Sequence, residues 1–198
     1  MTPPTVIWMR HGTCTDGYQR PDAYARPDSP LHPIGTEQVT ASARALLAES
    51  WRPELIVTST LPRTVATAEV MASLLRIATI HRADVLREWA APTCVLGVGP
   101  HDYPHEYRTW RQGRLTHIDT ALPGGESLQA VRDRAATALK YVTDLADRYR
   151  DVLVVSHRIL IGCVAALHAG TDDPAQVFER ASRFSLAPAG LWRPHSSG

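Results

Sequence analysis

The sequence predicts a three-layer α/β/α sandwich with a mostly parallel central sheet. The prediction depends first on three short apolar runs at residues 6–9, 55–58 and 152–155. Strands that are buried on both faces of a parallel sheet read as continuous apolar segments of this kind. The second observation is that a segment with helical periodicity follows each run, and strands alternating with helices are typical of this fold class.

Helices are predicted where apolar residues recur at intervals of three and four positions. Asp173 and Pro174 have the composition of an N-cap and a first helical position, so a further short helix is expected to begin there. The remaining predicted segments complete the chain: helices at 35–49, 62–75, 126–149 and 159–168, a short helix at 103–112, one or two strands within 77–87, an edge strand within 184–193, a loop at 10–34, a long connection at 89–123 and a frayed tail at 194–198.

Length and composition indicate one domain over residues 1–198 of a soluble protein. Lys and Arg number 21 and Asp and Glu number 20, a balance that gives no support to binding of nucleic acid or membrane surfaces. The three cysteines are far apart without a C-x-x-C motif, as expected in a reducing compartment. With no long apolar stretch and no signal-like N-terminus, we expect a cytoplasmic protein, and a homodimer is left open.

Polar residues of the same kinds follow each of the three predicted strands. Because the carboxyl ends of parallel strands meet at one edge of a sheet, these residues are expected to share a pocket. Fixed cations and the N-terminal ends of helices stabilise the charge on a phosphoryl group during transfer. The pocket is therefore predicted to bind a small phosphorylated substrate through the groups Arg10-His11-Gly12, Thr58-Ser59-Thr60-Leu61-Pro62-Arg63-Thr64 and Ser156-His157-Arg158.

This pattern resembles the histidine phosphatase superfamily, the phosphoglycerate-mutase-like proteins. The matching motifs run in family order from residue 6 to residue 157, and they are Arg10-His11-Gly12; Leu31, Gly35 and Gln38; Thr58-Ser59-x-x-x-Arg63-Thr64-x-x-Thr67-Ala68-Glu69; Leu86-x-Glu88; Pro123-Gly124-Gly125-Glu126-Ser127; and Val154-Val155-Ser156-His157.

The resemblance implies a metal-independent phosphomonoester hydrolase without a cofactor. It implies that His11 accepts the phosphoryl group, that Arg10, Arg63 and His157 hold the phosphate, and that Glu88 donates the proton. His157 thus belongs to both the catalytic and the phosphate-binding set. The chemistry is coherent on its own terms, since a neutral His is a nucleophile and a leaving alkoxide needs an acid. Glu126 is the competing candidate for that acid.

The sequence also departs from the family pattern. Thr13-Cys14 replaces the usual acid or amide followed by a hydroxyl residue, Gly17 replaces a common Asn, and Arg158 replaces a frequent Gly. The segment after Glu88 lacks the Gly-x-x-Glu-Gly pattern, so an unusual substrate side is expected. Further substrate contacts are predicted for Arg158, Tyr103 and Arg108, with Tyr107, Trp110 and Arg111 nearby.

Two other sites were weighed against this one. Cys14 and Arg20 have the C-x5-R spacing of a cysteine phosphatase, but Asp16 would place a negative charge in the phosphate loop. A zinc site at His101, His105 and His117 is disfavoured because Pro104 interrupts the helix that would align the first two. No metal site is therefore predicted.

Two other functions keep the same fold. A mutase must protect its phosphoenzyme from water, and the long connection 89–123 is the only sizeable segment that could do so. A protein that binds a phosphorylated ligand without turnover would have no use for the full set of His11, Glu88 and His157. We therefore expect a phosphatase, with the mutase and the binding protein as alternatives.

Overall fold

A computed structural model describes residues 5–194, and it confirms the predicted α/β class. Within these residues, five strands form one sheet, and helices cover both of its faces. In chain order the elements are β1 (Thr5–Arg10), α1 (Thr15–Gln19), α2 (Pro33–Ala48), β2 (Leu55–Thr58), α3 (Pro62–Leu75), β3 (Ile80–Arg82), α4 (His105–Gly113), α5 (Leu128–Ala146), β4 (Asp151–Ser156), α6 (Arg158–His168), α7 (Pro174–Arg183) and β5 (Leu191–Trp192).

The strands are arranged in the order β3-β2-β4-β1-β5. The first four run parallel to their neighbours, and only β5 pairs antiparallel, on the outer edge of β1. The register pairs Arg10 of β1 with Ser156 of β4, and Thr58 of β2 with Val155 of β4. The three strands that precede polar residues are therefore adjacent and end level with one another.

Side chains alternate between two buried cores, as the period of a strand requires. In β1, Trp8 faces the core formed with α5, α6 and α7, whereas Ile7 and Met9 face the core formed with α2 and α3. Both cores are necessary because a strand with apolar residues on both faces is stable only when both faces are covered.

The helices that follow neighbouring central strands lie on opposite faces of the sheet. After β1 and β2 the chain continues into α2 and α3 on one side, and after β4 it continues into α6 on the other. A crevice forms beyond the carboxyl ends of strands at such a switch point, and ligands of α/β proteins bind there. The carboxyl ends of β1, β2 and β4, here called the carboxyl edge, are therefore where a site is expected.

Several predicted boundaries are corrected. The loop predicted at 10–34 contains α1, a five-residue helix too short for periodicity to reveal. The long helix begins at Leu128 rather than 126 because the Ser127 hydroxyl caps it by accepting from the Ala130 amide. One strand, β3, lies within 77–87, and the edge strand is limited to Leu191–Trp192. Residues 195–198 of the predicted tail lie outside the described residues.

Asp173 and Pro174 do begin α7 as predicted, with the Asp173 carboxylate accepting from the Gln176 amide. The connection at 89–123 contains α4 and two short 3₁₀ turns, and its aromatic residues pack on the core shared with α5 and α7. No helix between residues 5 and 194 combines the length and apolar content that a bilayer crossing requires.

The loop after β1 is held against α2 by a close backbone approach. A Cβ at Gly35 would lie 2.3 Å from the Thr13 carbonyl oxygen, and one at Gly12 would lie 2.5 Å from the Gly35 carbonyl oxygen. Hydrogen bonds from His32 N to Thr13 O and from Thr13 N to Gln38 Oε1 complete the contact. Only glycines allow this approach, which fixes the backbone next to His11.

Gly35→Ala is expected to destabilise the fold by about 1–3 kcal/mol, as other overpacking changes do. A matched control is Gly113→Ala in α4, where the new Cβ meets nothing nearer than 3.4 Å. There the higher helix propensity of Ala should leave the stability unchanged or raised. Urea unfolding of the two variants checks the difference, and equal stability would contradict the close-approach argument.

Candidate active site

The parallel pairing of β1 with β4 brings the two predicted histidines together. The His11 amide continues the strand ladder by donating to Ser156 O at 3.0 Å, and His157 follows Ser156 directly. The imidazole rings meet edge to face with 5.1 Å between their centroids. Both side chains are buried, and the Arg63 guanidinium at the start of α3 lies against them.

The hydrogen bonds of His11 assign its tautomer. Its Nδ1 lies 2.6 Å from the Gly12 carbonyl oxygen, which can only accept, so Nδ1 carries the proton. Its Nε2 in turn accepts from Arg63 Nε at 3.2 Å. The lone pair of Nε2 is thus directed into the site, as a nucleophilic imidazole requires.

Arg63 is held in position from the opposite side. Its Nη1 donates to the carbonyl oxygens of Arg26 and Pro27 at 3.1 and 3.3 Å. That loop is fixed by the buried Asp16, whose carboxylate accepts from the Arg26 amide, Nε and Nη2. The guanidinium therefore reaches His11 without pairing to a carboxylate.

Two buried polar atoms at the site have no hydrogen-bond partner within residues 5–194: Arg10 Nε and His157 Nδ1. Arg10 donates to Leu186 O through Nη1 only. His157 Nε2 lies 2.9 Å from Ser59 Oγ, which also accepts from the Leu61 amide, so the hydroxyl proton is best directed at Nε2. His157 Nδ1 then carries hydrogen. Two buried donors without acceptors indicate a site for an anion.

Glu88 is fixed at the N-terminus of α6. Its Oε1 accepts from the amides of Leu160 and Trp89 at 3.1 and 3.0 Å, and its Oε2 accepts from the Ile159 amide at 3.3 Å. The first amides of a helix have no partner within the helix, and the helix dipole favours a carboxylate there. The side chain lines the cavity with Oε2 retaining lone pairs for a further partner.

Glu126, the competing acid, is fully engaged elsewhere. Both of its carboxylate oxygens pair with the Arg134 guanidinium, at 2.8 and 2.7 Å. Oε2 also accepts from the Ala90 amide. A carboxylate held in a bidentate ion pair is poorly suited to carry a proton, so the geometry favours Glu88 over Glu126 for this role.

A cavity of about 880 Å³ opens over the carboxyl edge. Of the predicted site residues it is lined by Arg10, His11, Arg63, Glu88, Arg158 and Tyr103, and the fully buried His157 packs edge to face against His11. The Arg158 guanidinium is tied to the carbonyl oxygens of Ser182 and Phe184 at 3.2 and 3.3 Å through Nη1.

Arg108 does not line the cavity, which corrects the substrate contact predicted for it. It is exposed on α4, and Arg111 reaches the cavity from the same helix instead. The reason is the phase of the helix. Tyr107 is fully buried, so the position four residues later points to the same side and the next position points away.

Tyr24 and Trp89 are lining residues that the sequence did not reveal. Tyr24 joins the two sides of the cavity: its hydroxyl lies 3.2 Å from the Tyr107 hydroxyl, its backbone forms a bridge with Leu96, and its carbonyl accepts from the Gly97 amide. Its ring packs edge to face on Trp89. No motif signals these residues, because they contribute packing rather than chemistry.

The alternative sites weighed from the sequence do not form. Cys14 and Arg20 flank α1, so the residues between them are helical rather than wrapped around an anion, and Arg20 donates to Gly97 O at 2.5 Å. Cys14 itself is buried on the cavity wall. Among residues 5–194, no three His, Cys, Asp or Glu side chains converge as a metal site would require.

Burial dominates the electrostatics of the site. Burial, and next the Arg63 cation, hold the pKa of His11 well below 6.5, although the bond to Gly12 O acts in the opposite direction. The pKa of His157 is lowered by burial, Arg63 and His11 in that order. Burial also lowers the pKa of Arg10 and Arg63 from 12.5. The site at neutral pH thus combines neutral imidazoles with guanidinium cations.

Comparison with known proteins assigns the class of protein that this fold and site define. A model of the histidine phosphatase superfamily (branch 1) matches residues 6–186. The chain therefore belongs to the histidine phosphatase superfamily and is an enzyme of that family, as the sequence motifs predicted.

Among curated relatives, the probable phosphoglycerate mutase GpmB of Escherichia coli O139:H28 is 31% identical over 172 residues, covering 83% of this chain and 74% of GpmB. Two solved structures share the fold. The α-ribazole phosphatase of Shigella flexneri has a TM-score of 0.76 at 21% identity, covering 94% of this chain and 88% of that chain. The mycobacterial glucosyl-3-phosphoglycerate phosphatase with VO3 has a TM-score of 0.75 at 20% identity, covering 95% and 89%.

Because the pKa of His11 is depressed, its ring is expected to stay neutral at pH values at which an ordinary imidazole is protonated. Ring nitrogen NMR should find the Nδ1–H tautomer from about pH 7.5 down to about pH 5.5, where an ordinary imidazole is mostly protonated. Arg63→Met removes one cause, so the pKa of His11 should rise. Titration of His11 near its ordinary value in the unsubstituted protein would contradict the description.

The same shift has a consequence for stability. Because the folded-state pKa values of His11 and His157 are depressed, the unfolded chain binds protons first as the pH falls. The free energy of unfolding should therefore be greatest above about pH 6.5 and decrease below it.

Proposed function

We propose that the protein is a metal-independent phosphomonoester hydrolase that works through a phosphohistidine on His11. The observation that carries the proposal is the pair of buried, unpartnered donors, Arg10 Nε and His157 Nδ1, at the site where the His11 Nε2 lone pair accepts from Arg63 Nε. A phosphoryl group supplies oxygens for both donors and a phosphorus atom for the nucleophile. Arg63 adds a third donor group.

In the first step, His11 Nε2 attacks phosphorus and the bond from phosphorus to the ester oxygen breaks. Arg63 Nε, which donates to Nε2 in this structure, transfers its hydrogen bond to a phosphate oxygen. The proton stays on Nδ1 and is donated in a hydrogen bond to the Gly12 carbonyl oxygen, which stabilises the positive charge that develops on the ring. The Arg10 and Arg63 cations neutralise charge on the equatorial oxygens during transfer, and neutral His157 adds a hydrogen bond from Nδ1.

Glu88 supplies the proton that the leaving oxygen needs. In the second step the same carboxylate accepts a proton from water as the water attacks the phosphohistidine, which restores free His11 and releases phosphate. The three amides that hold the carboxylate fix its direction without filling all of its lone pairs. Its place in the wall of the same cavity as His11 supports this assignment.

A phosphoglycerate-mutase-type phosphotransferase is the second candidate, and the similarity to GpmB favours it. A mutase returns the phosphoryl group to an organic acceptor, whereas a phosphatase gives it to water. A screen of phosphomonoesters that measures released phosphate alongside isomerised product separates the two. Dominant release of phosphate is expected, and dominant isomerisation would replace the phosphatase proposal with the mutase.

His11→Ala should fold normally and lose turnover, since it removes the nucleophile that accepts the phosphoryl group. Cys14→Ser, which alters a neighbouring wall residue of similar size, should keep most of the activity. Acid-quenched and alkali-quenched samples taken during turnover should contain phosphate bound to protein that is stable in alkali and labile in acid. An active His11→Ala with an inactive Cys14→Ser would reverse the assignment.

Glu88→Gln should slow hydrolysis of an alkyl phosphate by about 10²–10⁴-fold, the usual contribution of a general acid. An aryl phosphate with an acidic phenol should lose much less because its leaving group departs as an anion. The quantity to measure is the ratio of kcat/KM for the alkyl ester to that for the aryl ester. If the ratio falls only in Glu126→Gln, the acid is Glu126 and not Glu88.

Activity should persist after dialysis against EDTA, because Arg10 and Arg63 supply the positive charge that a metal ion would otherwise bring, and His157 supplies a further donor. Phosphate release is measured before dialysis, after it and after adding back Mg²⁺ or Zn²⁺. Activity that is lost in EDTA and restored by either ion would rule out a metal-independent reaction.

A further inference from the structure

We propose that Arg134 and Glu126 act together as a positioning unit that holds Glu88 in place for proton transfer. This inference rests on the proposed function, since it takes Glu88 as the acid. Arg134 lies on α5 and Glu126 lies just before that helix. Both side chains line the wall of the cavity, with 22% and 15% of their surfaces exposed.

The Arg134 guanidinium uses all five of its N–H donors. Two of them form the bidentate pair with Glu126: Nε donates to Oε1 at 2.8 Å, and Nη2 donates to Oε2 at 2.7 Å. This pair fixes the plane and direction of the guanidinium, because a fork of donors that matches a carboxylate leaves little rotational freedom.

The remaining three donors form hydrogen bonds with backbone carbonyl oxygens at and just before Glu88. Nη1 donates to the carbonyl oxygens of Val85 and Arg87 at 3.2 and 2.5 Å, and Nη2 donates to the Glu88 carbonyl oxygen at 3.2 Å. One side chain thus fixes the carbonyl of the acid itself and the carbonyls one and three positions before it.

Glu126 holds the backbone on the other side of Glu88. Its Oε2 accepts from the Ala90 amide at 3.3 Å, and its own amide donates to the Ala90 carbonyl at 2.9 Å. Its carbonyl oxygen accepts from Trp89 Nε1 at 2.9 Å. Together with Arg134, it fixes residues 85–90 at both ends.

Residues 85–90 depend on such side-chain contacts because most of them lie outside helices and strands. A 3₁₀ turn covers only Asp84–Leu86, and Arg87 is extended, so Glu88 lies outside any helix or strand. The amides of α6 orient the Glu88 carboxylate, but they do not fix the backbone from which it projects. A displacement of about 1 Å at a reacting group can cost about 10²-fold in rate.

A purely structural role predicts something different. A half-buried ion pair can contribute little net stability, and a change that only loosens the fold would slow all substrates together. A positioning role for the acid instead predicts a selective loss for esters whose leaving group needs the proton. The two roles are thus distinguished by which esters are hydrolysed more slowly, and not by how large the loss of activity is.

The test compares Arg134→Lys and Glu126→Gln with Arg132→Lys as a matched control. Arg132 lies two residues earlier on α5, is 21% exposed and pairs with Asp133 and Asp172 without contacting residues 85–90. Lys keeps the charge at either position but lacks the fork of donors. For each variant, kcat/KM is measured with an alkyl phosphate and with an aryl phosphate of an acidic phenol, alone and combined with Glu88→Gln.

We expect Arg134→Lys and Glu126→Gln to lower kcat/KM for the alkyl ester by about 10-fold or more, with little change for the aryl ester. Arg132→Lys should alter neither. In the Glu88→Gln background, the same substitutions should lower the alkyl-to-aryl ratio no further, because the group that they position is already gone.

Equal losses for both esters in Arg134→Lys and Glu126→Gln, beside a selective loss in Glu88→Gln, would overturn the positioning role and leave the proposed function intact. No selective loss in Glu88→Gln would overturn the acid assignment itself, and this inference with it. Glu126→Gln nearly preserves shape, so it decides the matter if Arg134→Lys fails to fold. If neither variant folds, the pair is structural and the inference is wrong.

Discussion

The site depends on the parallel pairing of β1 with β4. A register that places Arg10 opposite Ser156 brings the next residue of each strand, His11 and His157, to the same level of the carboxyl edge. A shift of one residue would turn the side chains of β1 to the other face and bury Trp8 in the wrong core. The apolar packing that fixes this register therefore also sets the separation of the two imidazoles.

The second constraint is charge. Arg63 is buried and Arg10 half-buried beside neutral histidines, and their hydrogen bonds go to backbone carbonyls and to His11 rather than to carboxylates. Burial of a cation is costly, and the nearby Glu88 carboxylate offsets part of that cost for both guanidinium groups. Under the proposed function, a phosphate dianion adds further negative charge at this point, so the two cations favour its binding.

The sequence predicts the parts of this site that obey local rules. Strands with apolar runs, the polar residues that end them and the helices that follow were all recoverable, because each depends on a period or on a neighbouring residue. The α1 helix was not, since five residues are too few to show a period. The role of Arg134 was also hidden, because its partners in residues 85–88 lie more than forty positions away along the chain.

Arg108 illustrates the same limit within a predicted helix. The sequence placed several aromatic and basic residues near the cavity, but which of them faces it depends on how deeply Tyr107 is buried. That burial is set by contacts with Tyr24 from a distant loop. Local periodicity predicts that α4 exists, whereas its rotation about its own axis is a tertiary property.

Tyr24 has a consequence for how this cavity changes through evolution. Its backbone bridge to Leu96 and its hydroxyl contact with Tyr107 tie the loop after α1 to the connection 89–123 across the cavity. The distance between these two walls is thus fixed by a backbone bridge and a side-chain contact, whereas Arg111 lines the cavity from an exposed position. A new substrate is more readily accommodated by changes in exposed cavity residues than by a wider separation of the two walls. Related enzymes should therefore differ in the length of ligand that they accept before they differ in its breadth.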